Sequence, residues 1–130
     1  MRIEGSWSAD DGPSRGNAAV TALAYEAEEP RAGATLLLAH GAGAGQLSPF
    51  MVSFARSLAA LGVDTITFNF LYTEQRRRLP DRRPALEACY RAVIEKVRDE
   101  IERAQRFLFV GGKSMGGRIA TQVAAADPSL

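Results

Sequence analysis

Residues 107–120 read Phe-Leu-Phe-Val-Gly-Gly-Lys-Ser-Met-Gly-Gly-Arg-Ile-Ala, and no other stretch constrains the fold as much. An apolar run, consistent with a buried strand at Phe107–Val110, passes through Gly112-Lys113-Ser114 straight into a helix pattern over Met115–Ala126. The turn is G-x-S-x-G from Gly112 to Gly116. That spacing puts a serine on sharply bent backbone, with its Oγ raised above the sheet. Small residues two before and two after it let strand and helix approach closely. The N–H of Met115 then lies at a helix N-terminus, where it can face a developing oxyanion. The five-residue pattern is weak alone, and the strand before it and helix after it give it weight. Gly112-Lys113-Ser114 also resembles the end of a phosphate-binding loop. That loop needs a glycine five residues before its Gly-Lys pair, where this chain has Phe107, inside the strand.

The rest of the chain alternates in the same way. Val20–Glu26 reads as a strand, residues 28–33 as a turn, and Thr35–Ala39 as a short buried strand. Ser48 is expected to cap a helix with Pro49 at its first position, with Phe50, Phe54, Leu58 and Leu61 at helical spacing and Gly62 as the stop. Val63–Phe70 is rich in β-branched and aromatic residues and reads as a strand. Leu71–Arg83 reads as a basic loop. Pro84 opens a long helix whose apolar stripe is Leu86, Cys89, Val93, Val97 and Ile101, and Asp127-Pro128 stops the last helix. Residues 1–17 are polar and Gly-rich, expected to be poorly ordered, with an edge strand suggested near Trp7. Strand–helix alternation of this kind predicts an α/β fold with a mostly parallel sheet and right-handed crossovers.

Composition narrows the function classes. A net charge of +1 gives no global field to select nucleic acid or an anionic membrane. One cysteine, Cys89, excludes an internal disulfide and a thiolate metal cluster, and its place on the apolar stripe suits a packed core thiol. No metal or cofactor is expected. No apolar segment after Met1 reads as a signal peptide and no run approaches a membrane span, so a cytoplasmic location is expected. The cluster Arg76-Arg77-Arg78 with Arg82-Arg83 has three readings: a solvated loop, an anion or carboxylate clamp at the carboxyl end of a strand, or, least favoured, a nucleic-acid patch.

A second motif, His40-Gly41-Ala42-Gly43-Ala44-Gly45, follows the Thr35–Ala39 strand. It is not the dinucleotide fingerprint, because its third glycine falls one residue early. Taken together, Leu-Leu-Leu-Ala-His-Gly-Ala-Gly-Ala-Gly, then Ser-Pro-Phe-Met, then Phe-Asn-Phe-Leu-Tyr with its Arg-rich segment, then Gly-Gly-Lys-Ser-Met-Gly-Gly-Arg resemble a branch of the α/β-hydrolases. It is the dienelactone-hydrolase-like branch, which includes bacterial α/β family hydrolases and the hydrolase-like domains of testis-expressed and NSL-complex regulatory proteins. The resemblance covers about residues 20 to 126. Leu71 departs from it, standing where bacterial members have proline.

The resemblance implies a three-layer α/β-hydrolase fold, here cut off after the nucleophile helix, with Ser114 as nucleophile and Gly112 and Gly116 shaping its elbow. It implies an oxyanion hole from the N–H groups of Met115 and Ala42, with Gly43 as the next choice. His40 and Gly41 support that loop; Tyr72, Arg76 and Arg77 are substrate-side candidates. In this fold the triad runs Ser, then Asp or Glu, then His. After Ser114 the chain has no histidine, and its only carboxylate side chain is Asp127, at the end of a helix. His40, the single histidine, reads as a loop support rather than a base. Family members continue through further strands that carry the acid and base, so the chain is expected to be the N-terminal portion of such a domain, from a longer protein or a truncated gene product. If the site is completed, the resemblance implies a small acyl or ester compound as substrate; the alternative is a noncatalytic hydrolase-like scaffold or binding module. Without later strands, the apolar edge Phe107–Val110 is expected to pair with another chain.

Overall fold

The computed structural model describes residues 2–5 and 18–130. The elements are β1 (Arg2–Gly5), β2 (Ala18–Tyr25), β3 (Thr35–Ala39), α1 (Pro49–Ala60), β4 (Asp64–Phe68), α2 (Leu71–Glu74), α3 (Arg83–Glu100), β5 (Leu108–Gly112) and α4 (Met115–Ala126). A 3₁₀ turn at Glu102–Gln105 joins α3 to β5. Residues 6–17, with the edge strand suggested near Trp7, lie outside the described residues.

The strands form one sheet in the order β1-β2-β4-β3-β5. β3, β4 and β5 are parallel, while β2 runs antiparallel to both of its neighbours. The crossover from β3 to β4 moves one way along the sheet, and that from β4 to β5 moves back past β3. Crossovers of one hand then place their helices on opposite faces. Side chains alternate accordingly. Leu37, Ala39, Ile66, Phe68, Val20 and Ala22 form one core with α3 and α4. Leu38, Thr65 and Thr67 are buried on the other face, that of α1. The result is three layers, the architecture expected from the sequence.

Helix boundaries follow local chemistry. The Ser48 Oγ accepts from the Met51 N–H at 3.4 Å, and Pro49 sits in the first turn. Gly62 stops α1 at φ +95°, a left-handed conformation, with its N–H donating to the Ala59 carbonyl at 3.0 Å. Pro84 sits in the first turn of α3, and Leu86, Cys89, Val93 and Val97 are buried as their spacing predicts.

Three expectations are corrected. The buried face of α1 is Met51, Ala55 and Ala59, while Phe50, Phe54 and Leu61 are exposed. Small residues let the helix lie close against the sheet, which displaces the larger apolar groups to its flanks. There Phe50 and Phe54 stack, with ring centroids 5.6 Å apart. Leu71–Glu74 is helical rather than part of a loop, because Leu71 and Tyr72 turn into the core and Glu74 Oε1 accepts from the Thr21 N–H at 2.6 Å. The strand read as Phe107–Val110 runs instead from Leu108 into both glycines of the turn, ending at Gly112.

A Cβ at Gly62 would lie 2.5 Å from the Pro30 carbonyl oxygen, in addition to the left-handed backbone penalty. Gly62→Ala is therefore expected to cost more than about 2 kcal/mol in chemical denaturation. The long cap bond makes Ser48→Ala milder, about 0.5–1 kcal/mol. Equal midpoints for the two variants would contradict this account of the helix ends.

Among the described residues β5 pairs on one side only, with β3, and Phe107 and Phe109 are exposed beside its open edge. We expect residues 1–130 to self-associate by pairing this edge with that of a second copy. Size-exclusion chromatography with light scattering tests this, and a sharply melting monomer at all concentrations would contradict it.

Candidate active site

The site is built where β5 meets α4. Ser114 lies between them at φ 52°, ψ −113°, a conformation that non-glycine residues rarely adopt and that costs on the order of 1–3 kcal/mol. Its side chain makes no capping bond to α4 and is exposed. The bend is held by the Lys113 N–H donating to the Ala39 carbonyl at 2.9 Å and by the Gly116 N–H donating to the Lys113 carbonyl at 3.0 Å. Glycine is required on both sides. A Cβ at Gly112 would lie 2.5 Å from the Gly116 carbonyl carbon, and one at Gly116 would lie 2.5 Å from the carbonyl oxygens of Ala39 and His40. Lys113 turns outward, with its Nζ 4.7 Å from the centre of the Phe50 ring.

The glycine-rich loop after β3 comes directly against this bend. A Cβ at Gly41 would stand 3.3 Å from the Lys113 carbonyl oxygen and 3.7 Å from the Ser114 Cβ. Ala42 and Gly43 follow in the same loop, and Met115 begins α4 beside Ser114. Gly41 and Ser114, 73 positions apart in sequence, thus share one corner, because both segments leave the C-terminal ends of adjacent parallel strands.

His40 is fully buried, and its ring is committed to the loop. Nε2 accepts from the Phe70 N–H at 3.1 Å, so the proton sits on Nδ1 and is donated to the Gly41 carbonyl at 2.7 Å. Phe70 and Tyr72 meet the ring edge-on. Burial lowers the imidazole pKa below its ordinary 6.5, outweighing the bond to Gly41. These contacts tie the start of the glycine-rich loop to the segment after β4.

The other end of the loop is fixed by a residue that sequence reasoning missed. Gln46 is buried: its N–H donates to Asn69 Oδ1 at 2.9 Å, its Nε2 to the Thr21 carbonyl at 2.9 Å, and its Oε1 accepts from Thr67 Oγ1 at 2.8 Å. Tyr90 was also missed. It is fully buried in α3, and its hydroxyl lies 2.9 Å from the Leu37 carbonyl and 2.8 Å from the Gly111 carbonyl, while accepting from the Gly111 N–H at 3.2 Å. It ties β3 to β5 just before the bend. The only available signal was a polar-tipped aromatic beside the apolar stripe.

The substrate-side candidates Tyr72, Arg76 and Arg77 do come together, around a cleft of about 530 Å³ whose other wall is the loop from Ala42 to Gly45. Arg78 joins them. The Tyr72 hydroxyl donates to the Ala42 carbonyl at 3.3 Å, and burial raises its pKa. Ser114 and Met115 do not line this cleft. Asp127 is turned away: its carboxylate accepts from Ser129, at 2.6 Å from the hydroxyl and 2.9 Å from the N–H, which holds its pKa below the ordinary value. Among the described residues no group of three His, Cys, Asp or Glu side chains is placed to hold a metal ion. Among them, too, no helix is long and apolar enough to cross a membrane.

The sequence profile described as alpha/beta hydrolase domain matches residues 32–129, three-quarters of the chain. The chain belongs to the α/β-hydrolase family. Solved structures agree at the level of fold. A lidless α/β serine hydrolase from Xanthomonas campestris superposes with a TM-score of 0.72 at 21% identity, over 97% of this chain and 55% of its own. An α/β serine hydrolase homologue from Coxiella burnetii gives 0.73 at 19%, over 85% and 54%. Dienelactone hydrolase from Anabaena variabilis gives 0.70 at 20%, over 98% and 58%. The chain spans a little over half the length of these structures. No curated protein sequence matches it.

The lowered pKa of His40 predicts a pH-dependent stability for this α/β-hydrolase domain. The unfolded chain takes up a proton near pH 6.5 while the buried imidazole resists it. The stability of the neutral form is therefore complete above that pH and declines as the pH falls below it. Denaturation from about pH 7.5 to 5 should show the decline, and His40→Asn should flatten it. A wild-type slope that His40→Asn leaves unchanged would contradict the assignment.

Proposed function

We propose that Ser114 is the nucleophile of an acyl-transfer reaction, the hydrolysis of an ester or related acyl compound. The observation that carries this reading is the bent, left-handed backbone of Ser114 at the strand–helix junction, with Gly41 so near that a Cβ added to it would stand 3.7 Å from the Ser114 Cβ. In this mechanism the Ser114 Oγ attacks the carbonyl carbon of the substrate as its proton passes to a base. The carbonyl oxygen becomes an oxyanion, stabilised by the N–H groups of Met115 and Ala42, with Gly43 beside them. Collapse expels the alcohol and leaves an acyl-serine, which water then hydrolyses.

The base is the component these 130 residues lack. Both ring nitrogens of His40 are occupied by loop backbone, and no other histidine is present. A serine hydroxyl has a pKa far above 7 and is a poor nucleophile without a base. On this reading the acid and base come from outside residues 1–130. Within those residues alone, the same corner serves as a binding site without turnover, the noncatalytic alternative.

Hydrolysis of p-nitrophenyl acetate by the full product of the gene and by residues 1–130 tests both readings, each compared with its Ser114→Ala variant. The full product is expected to lose nearly all activity on substitution, and residues 1–130 to show no rate above their Ala variant. Activity in the full product that survives Ser114→Ala would overturn the nucleophile assignment. Strong Ser114-dependent turnover by residues 1–130 would make His40 the base. No esterase activity in either form would favour the binding module.

A further inference from the structure

The cleft beside the glycine loop has a composition that the catalytic reading does not require. One wall, Ala42 to Gly45, carries no side chain larger than a methyl group, so it presents backbone; a Cβ at Gly43 would meet nothing within 4 Å. The opposite wall carries three consecutive arginines on a chain whose net charge is only +1. These arginines are not equivalent. Arg77 Nη1 pairs with Asp81 at 2.8 Å, and its Nε donates to Gln75 Oε1 at 3.0 Å. The Asp81 side chain is 2% exposed, so this ion pair is a strut that braces the turn. Among the described residues Arg76 and Arg78 have no carboxylate within salt-bridge distance, although both line the cleft.

The turn that presents them is itself strained. Arg76 has φ +57°, held by its own N–H to the Thr73 carbonyl at 3.0 Å and by the Arg77 N–H to the Tyr72 carbonyl at 2.9 Å. A left-handed arginine costs about 1 kcal/mol more than glycine would there. Two guanidinium groups with no carboxylate partner among the described residues, in a cleft whose other wall bears nothing larger than a methyl group, favour one kind of guest. Guanidinium groups form paired, charge-assisted hydrogen bonds with oxyanions. The volume lies within the range of small-molecule sites.

We propose that this cleft binds an anionic group, a carboxylate or a phosphate, carried by the substrate at a distance from its scissile carbonyl. Arg76 and Arg78 are the residues that hold it. The inference rests on the hydrolase reading for the identity of the substrate, but not for the existence of the anion site. The glycine loop connects the two: Gly41 stands beside Ser114, and Ala42 to Gly45 border the cleft. The preferred substrates are then acidic esters, such as hemi-esters of dicarboxylic acids or phosphorylated acyl compounds.

Calorimetric titration with succinate and with inorganic phosphate at low ionic strength tests the site directly. At least one is expected to bind. Arg76→Asn, which tolerates the left-handed backbone, and Arg78→Gln are each expected to weaken binding by about tenfold. Arg56→Gln, which removes an exposed arginine on α1, should leave it unchanged, as should Ser114→Ala. Binding of succinate alone assigns a carboxylate, of phosphate alone a phosphate, and of both an unselective oxyanion site. No binding tighter than about 10 mM for either anion, or equal binding by the Arg76 and Arg78 variants and wild type, would overturn the proposal. Anion binding is read in the Ser114→Ala protein as well. Failure of the nucleophile assignment would therefore leave this result standing, and failure here would leave that assignment untouched.

Discussion

The first turn of α4 passes so close to the ends of β3 and β5 that no side chain fits between them, and the arrangement of the site follows from that approach. Gly116 faces the carbonyl oxygens of Ala39 and His40, Gly112 faces Gly116 and Gly117, and Gly117 faces the Gly112 carbonyl. Glycine permits the contact, and the contact holds Ser114 in its left-handed bend. Such strain persists only where the surrounding structure over-determines it. Here the Lys113 N–H is fixed to Ala39, Gly111 is tied through Tyr90 to β3, and Met115, Ile119 and Val123 anchor α4 in the core.

The second component, the Gly41–Gly45 loop, has few side chains of its own and is shaped from outside. His40 fixes its entry through the Phe70 N–H, and Gln46 fixes its exit through Thr21, Thr67 and Asn69. Both anchors are buried, so their hydrogen bonds are protected from water and losing one partner would strand the other. The same segment after β4 that receives His40 at Phe70 carries Tyr72 and then the arginine turn. Loop position and cleft charge are therefore coupled through a few consecutive residues.

Much of this was legible in the sequence because its signals are local. Thr35–Ala39 lies between Gly33 and the glycine-rich loop; Ser48, Pro49 and Gly62 mark both ends of α1; and G-x-S-x-G, set between strand and helix, fixes the bend. What escaped was set by tertiary contact. The apolar residues of α1 make two overlapping stripes, and only the closeness of the sheet selects Met51, Ala55 and Ala59 over the phenylalanines. The helix at Leu71–Glu74 is too short to show a period. Gln46 and Tyr90 bond to residues 21 to 53 positions away, a relation that periodicity cannot express. The arginine run read as a solvated loop or an anion clamp, and which of its members line a cleft depends on the fold of the turn.

Backbone-to-backbone contact at Gly116 assembles the serine bend. The most direct measurement is the unfolding free energy of Gly116→Ala. The added Cβ would lie 2.5 Å from two carbonyl oxygens, both backbone and neither free to swing away. Gly116→Ala is expected to lose at least about 3 kcal/mol or to fail to fold. A Gly116→Ala protein within about 0.5 kcal/mol of wild type would contradict it, because strand and helix would then have room to spare.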